Sequence, residues 1–132
     1  MNRKMFAVFF VGLSMTFVQL WSGCSTPEEV ITFSQVYQGV IKGSCAFTSC
    51  HGGGAGGLNL KEENAYDNLV GKDANGIQGE KLVVAGDPSQ SVLFKILKGK
   101  IGNVRRMPPT DALSQDKIDM VEKWIKQGAK KE

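Results

Sequence analysis

Histidine is nearly absent: His51 is the only one in the 132-residue chain. A zinc site needs about four ligands, so one built here would have to borrow carboxylates. Aromatic residues are also scarce, at 8% against 16 glycines, which is a thin supply of core-forming side chains. A large bound group would help to fill such an interior. Excess charge of either sign is missing too. The net charge is +3, and it falls to +1 without Arg3 and Lys4, which speaks against nucleic-acid binding. No internal repeat is visible, and no Gly-Lys-Ser/Thr follows the glycine run 52–57, so that run is not a phosphate cradle. A chain this short has room for one small domain.

The start of the chain is organised as a targeting segment. Arg3 and Lys4 precede an apolar stretch, Met5 to Leu20, that is interrupted only by small or polar residues and is shorter than the ~20 residues of a membrane span. It runs into Trp21-Ser22-Gly23-Cys24. This tetrad resembles the lipobox of bacterial lipoproteins, with Trp21 where that family usually carries an aliphatic residue. The resemblance implies lipidation of Cys24 and an exported, periplasmic protein held to a membrane by acyl chains, with a lean toward the outer membrane. Ordinary signal-peptide cleavage is the alternative. The expected organisation is a leader over 1–23, a polar tether over 24–32 and one domain over 33–130.

Helical periodicity dominates the remainder. Phe33, Val36, Tyr37, Val40 and Ile41 share one face, with Thr32 or Ser34 as N-cap and an end at Gly43. A second helix is expected from Lys61 to Val70, turning Ala65, Tyr66 and Leu69 inward and closing at Gly71. The third is expected to start at Asp87-Pro88 and run to about Lys98, with Val92, Leu93, Ile96 and Leu97 on one face and Gly99 as its stop. The last begins near Ser114, places Ile118, Val121, Trp124 and Ile125 on a stripe, and ends at Gly128. The region 72–86 reads as loop, with a brief extended piece at Lys81–Val84. The fold class is therefore all-α: four short helices joined by more loop than a core of this size normally holds in place.

The chemistry-bearing group is Cys45-Ala-Phe-Thr-Ser-Cys50-His51. In an exported protein two such thiols are open to forming a disulfide, with His51 an incidental neighbour. The group also resembles the haem-attachment motif of c-type cytochromes, where two thiols bond the haem vinyl groups and the next histidine ligates iron. Its common form has two residues between the cysteines; four stand here, a longer variant that the family also contains. The resemblance extends from about Tyr37 to Ala129. Its further pieces are Gly57-Leu58-Asn59-Leu60, Gly86-Asp87-Pro88 with Ser91-Val92-Leu93, Met107-Pro108-Pro109, Leu113-Ser114, Trp124-Ile125 and Gly128-Ala129.

The resemblance implies a small cytochrome c-like domain around one covalent haem c, with Cys45 and Cys50 bonded to it, His51 on iron and Met107 as the second axial ligand. The two prolines after Met107 stiffen its loop. Met120 is the competing thioether, inside the last helix. Arg105 and Arg106 are candidates for pairing with the haem propionates, against a solvated role. The five positive side chains from Lys95 to Arg106 are open to steering an acidic partner. Trp124 and Tyr66 are expected in the core or against the porphyrin. The implied function is electron transfer between other exported redox proteins by a monomer that is not an enzyme. A haem peroxidase-like or sensor domain with an opening sixth position, and a non-haem lipoprotein with a Cys45–Cys50 disulfide, are the alternatives.

Overall fold

In a computed structural model the protein is described over residues 27–132. The leader, Cys24 and the first part of the expected tether lie outside the described residues. The fold is helix-rich and has no strands among the described residues, in keeping with a small all-α domain. Among the described residues no helix is long and apolar enough to cross a membrane.

Helix α1 starts at a capping box. Gln35 N–H donates to Thr32 Oγ1 (3.4 Å), and Gln35 Oε1 accepts from Thr32 N–H (2.8 Å). It runs through Phe33–Val36, then a π-helical turn, Tyr37–Ile41, then Lys42–Ser44. The inward face is the one the spacing predicts: Phe33, Val36, Tyr37, Val40 and Ile41 are all buried. The helix passes Gly43 instead of ending there and delivers Cys45 directly after its last turn.

Helix α2 is Glu62–Leu69, with Ala65 and Leu69 buried and Glu62 and Glu63 at its positive end. Val70 leaves in extended conformation, and Gly71, at φ 72°, reverses the chain. The following segment is held by isolated bridges, Val70 to Val83, Asp73 to Lys81 and Lys81 to Ser91, so the expected extended piece at Lys81–Val84 is used as a splint.

The third helix departs from expectation. Asp87 does cap, accepting from Gln90 N–H at 3.1 Å, but only a 3₁₀ turn, Pro88–Gln90, follows. Ser91 is fully buried and extended; its hydroxyl donates to Asp87 O (2.7 Å) and accepts from Val84 N–H (2.9 Å). Helix α3 therefore begins only at Val92 and runs Val92–Lys98. Its first amides donate to the splint: Val92 N–H to Lys81 O and Leu93 N–H to Leu82 O. Distant carbonyls outcompeted the continuous helix. Gly99 ends α3 in an extended conformation, not a left-handed one.

Helix α4, Gln115–Lys126, buries Ile118, Val121, Trp124 and Ile125. Gly128 at φ 97° closes it in a Schellman motif, with Gly128 N–H donating to Ile125 O (3.0 Å) and Ala129 N–H to Trp124 O (2.9 Å). Phe33 is the centre of the aromatic core, its ring centroid 5.5 Å from Trp124 and 5.2 Å from Tyr66.

Within the expected tether over 24–32, residues 29–32 pack against the end of α4. Ile31 is buried, and its N–H donates to Gln127 Oε1 (2.8 Å). Gln127 Nε2 in turn donates to Glu29 O (2.8 Å), and Lys123 pairs with Glu29. Glu29–Thr32 thus belong to the folded domain, because they satisfy backbone and side-chain groups at the end of α4.

Candidate cofactor site

After α1 the chain folds into a tight knot. Cys45 and Ala46 N–H groups both donate to Ile41 O, His51 N–H donates to Cys45 O (3.1 Å), and Cys50 and Gly52 N–H groups share Phe47 O (2.8 and 3.0 Å). His51 opens a 3₁₀ turn, His51–Gly53, and the chain turns again through Gly54 at φ 83°. That reversal brings Ala55 O to 2.9 Å from His51 Nδ1. A carbonyl oxygen only accepts, so Nδ1 carries the proton and Nε2 keeps its lone pair. The Nε2 atom is the one left to bind a metal.

His51 lines a largely apolar cleft with Cys45 and Met107, an open volume of about 820 Å³ counted out to its mouth. Its walls come from the knot, α2, the splinted segment, α3 and the loop after it. Leu58 and Leu60 follow the knot, Leu69 comes from α2, Ala74, Ile77 and Leu82 from the splinted segment, and Val92, Leu93, Ile96 and Leu97 from α3. Val104 and Met107 complete it, with Met107 N–H anchored to Ile96 O at 3.0 Å.

The sequence-derived candidates separate here. Cys45, His51 and Met107 share the cleft, although Cys45 and Met107 are 62 positions apart in sequence. Cys50 does not line it; half-buried, its Sγ lies 3.8 Å from Ser49 Oγ. Both Cys45 and Cys50 are free thiols. Burial, and next the neighbouring Cys50, push the Cys45 thiol up to about 11, against a small opposing pull from Lys117. Met120 lies elsewhere: its sulfur packs over Gly39, at the contact between α1 and α4. Trp124 and Tyr66 are also away from the cleft, their polar atoms donating to Lys130 O (2.8 Å) and Ala129 O (3.0 Å).

The two arginines differ. Arg105 is exposed. Arg106 Nη2 donates to Thr110 O at 3.3 Å, whereas its Nη1 is buried without a hydrogen-bond partner. Arg106 precedes Met107 in the chain but does not line the cleft, and an orphaned guanidinium nitrogen is costly unless an anionic group meets it. Within the stretch Lys95–Arg106, Lys95 is already paired with Glu80 and Lys98 lies over the Phe94 ring.

Asn75 is a site residue that pattern reading passed over, since Asn75-Gly76 reads as a turn. Its side-chain amide donates to Gly56 O at 3.1 Å and so fastens the loop that carries Ala55. Asn75 lines the cleft as well. No group of three or more His, Cys, Asp or Glu side chains converges among the described residues, and zinc chemistry gains no support from the geometry.

An apolar cleft with an imidazole nitrogen, a thioether and a thiol on its walls would suit an apolar, metal-bearing group. No family model matches the chain, and neither a curated protein nor a solved structure matches it.

Proposed function

We propose that the protein is a single-haem c-type cytochrome with a cytochrome c-like fold that carries electrons between exported redox proteins. The observation that supports this reading is the convergence of His51, its Nδ1 engaged by Ala55 O, with Cys45 and Met107 on one apolar cleft.

When bound, haem supplies the one-electron ferric–ferrous couple. His51 Nε2 and the Met107 sulfur would hold its iron, and the Ala55 hydrogen bond holds the imidazole in the ligating tautomer. The uncharged thioether favours the reduced state relative to a second imidazole or a thiolate. Leucine, isoleucine and valine side chains keep water from the slot, and Arg106 Nη1 is the group to receive a propionate. Were both residues to hold the iron, no site would be left for peroxide or oxygen, and the role would be transfer rather than catalysis. In this reading Cys24 bears lipid and the domain works at the periplasmic face of a membrane.

The test is full-length expression in a host with cytochrome c maturation machinery, followed by denaturing electrophoresis with haem staining and intact-mass measurement. A stained band at the polypeptide's position with one haem added is the expected result. Colourless protein with two unmodified or mutually linked thiols overturns the reading. A high-spin spectrum, or ligand binding at ferrous iron, overturns the six-coordinate carrier in favour of a sensor or peroxidase-like site.

A further inference from the structure

Gly52 and Gly53 both have backbone conformations open to any L-residue, since neither has a positive φ. Their lack of a side chain answers a different demand. A Cβ on Gly52 would overlap the Ala46 carbonyl oxygen, standing also 2.8 Å from Ala46 C and 2.9 Å from Phe47 O. A Cβ on Gly53 would overlap the Thr48 carbonyl oxygen and stand 3.2 Å from Thr48 C. Both clashes are with backbone of Ala46–Ser49, the four residues between the two cysteines. Left extended, a spacer of this length would let the cysteines stand ~15 Å apart or more. Instead it is folded back, closed by the two bonds to Phe47 O and by His51 N–H on Cys45 O.

The geometry points to Gly52 and Gly53 as positioning residues: a side-chain-free seat for the spacer carbonyls that sets the span between Cys45, on the cleft, and Cys50, just outside its lining, and so allows both thiols, rather than one, to bond the cofactor. This rests on the haem reading above. Each attachment is an addition in which a thiol S–H bond and the π bond of a vinyl group break. Sulfur bonds the vinyl carbon next to the ring, and the proton ends on the terminal carbon, with no net oxidation. The reaction needs each sulfur at its own vinyl, and a spacer lifted off its seat changes the distance between them. Gly43 and Gly54 meet no neighbouring atom within 4 Å, so the seat is specific to the two glycines after His51.

Full-length Gly52→Ala, Gly53→Ala and Gly43→Ala are matured with haem, denatured and treated with an alkylating reagent. Mass then counts unbonded thiols, and the pyridine haemochrome band counts remaining vinyl groups. Gly43→Ala is expected to match wild type. Gly52→Ala and Gly53→Ala are expected to lose the doubly bonded product about tenfold, with a singly bonded species in its place. Deleting Thr48 and Ser49 in the Gly53→Ala chain is expected to restore double attachment. Exposed Gly53 decides the matter if buried Gly52→Ala does not fold. An unchanged doubly bonded share in Gly53→Ala overturns the seat.

A second readout needs no haem. In unloaded protein, the equilibrium constant for oxidising Cys45 and Cys50 to a disulfide with oxidised glutathione is expected to fall about tenfold in Gly53→Ala. Equal constants in wild type and Gly53→Ala overturn the seat. Wild type that never takes up haem overturns the proposed function instead, and the glutathione measurement still decides the seat.

Discussion

His51 Nδ1 stands 2.9 Å from the carbonyl oxygen of Ala55, four residues later in the chain. The bond sets the imidazole tautomer and leaves the Nε2 lone pair free in the neutral ring. In the proposed cytochrome, removing the ring would leave iron without its strong donor, and removing Cys50 would deprive haem of a covalent hold. His51→Ala and Cys50→Ala are each expected to abolish stable haem incorporation. Pigment and mass measurements check this, and normal haem content in either variant would refute the assignment.

Met107 and Met120 are separable by experiment because the fold puts them in different places. Met107→Ala is expected to retain haem but lose the sulfur-to-iron charge-transfer absorption of the oxidised protein. Met120→Ala is expected to keep that band and to lose about 2 kcal/mol of stability from the α1–α4 contact. The reverse pattern would exchange their roles.

Arg106 carries the orphaned nitrogen and Arg105 faces solvent. A positive charge at the propionates favours the ferrous state, since that state carries one positive charge fewer. Arg106→Leu is accordingly expected to lower the reduction potential and Arg105→Leu to change it less. A redox titration that ranks them the other way removes Arg106 from the site.

Cys45 makes a pH prediction for the unloaded chain. Burial holds its thiol at about 11, against 9.0 for a thiol exposed to water, so the folded chain keeps a proton that the unfolded chain releases. The associated stability is complete below pH 9 and is lost as pH rises toward 11, a loss on the order of 2 kcal/mol. Denaturant midpoints measured from pH 8 to 11 are expected to fall less steeply in Cys45→Ala. Identical slopes would show that the thiol is not buried as described.

Trp124 is 0% exposed and its indole nitrogen donates to Lys130 O. Trp124→Ala is expected to cost about 3–5 kcal/mol, enough to threaten a domain of ~5–15 kcal/mol total stability. A midpoint close to wild type would contradict its place beside Phe33.

Helix faces were legible because they are local. The 3.6-residue repeat at Phe33 to Ile41 and at Ile118 to Ile125 names the buried stripe without reference to the rest of the chain, and Gly128 announces the Schellman close. The same holds for the proximity of Cys45, Cys50 and His51, which is a matter of chain adjacency.

Features that depend on partners far away in sequence were not legible. The break at Ser91 exists because the carbonyls of Lys81 and Leu82 take the first amides of α3. Residues that read as a tether are folded because Gln127, nearly a hundred positions later, satisfies Ile31.

From residues alone came the all-α class, the four helical faces and the candidates Cys45, His51 and Met107. Only the tertiary structure placed Met107 rather than Met120 at the cleft, left Cys50 outside its lining and set the Arg106 nitrogen without a partner. The physical reason is range: periodicity and capping act within a turn or two, whereas burial and hydrogen-bond satisfaction are decided by whichever groups the closed fold brings together.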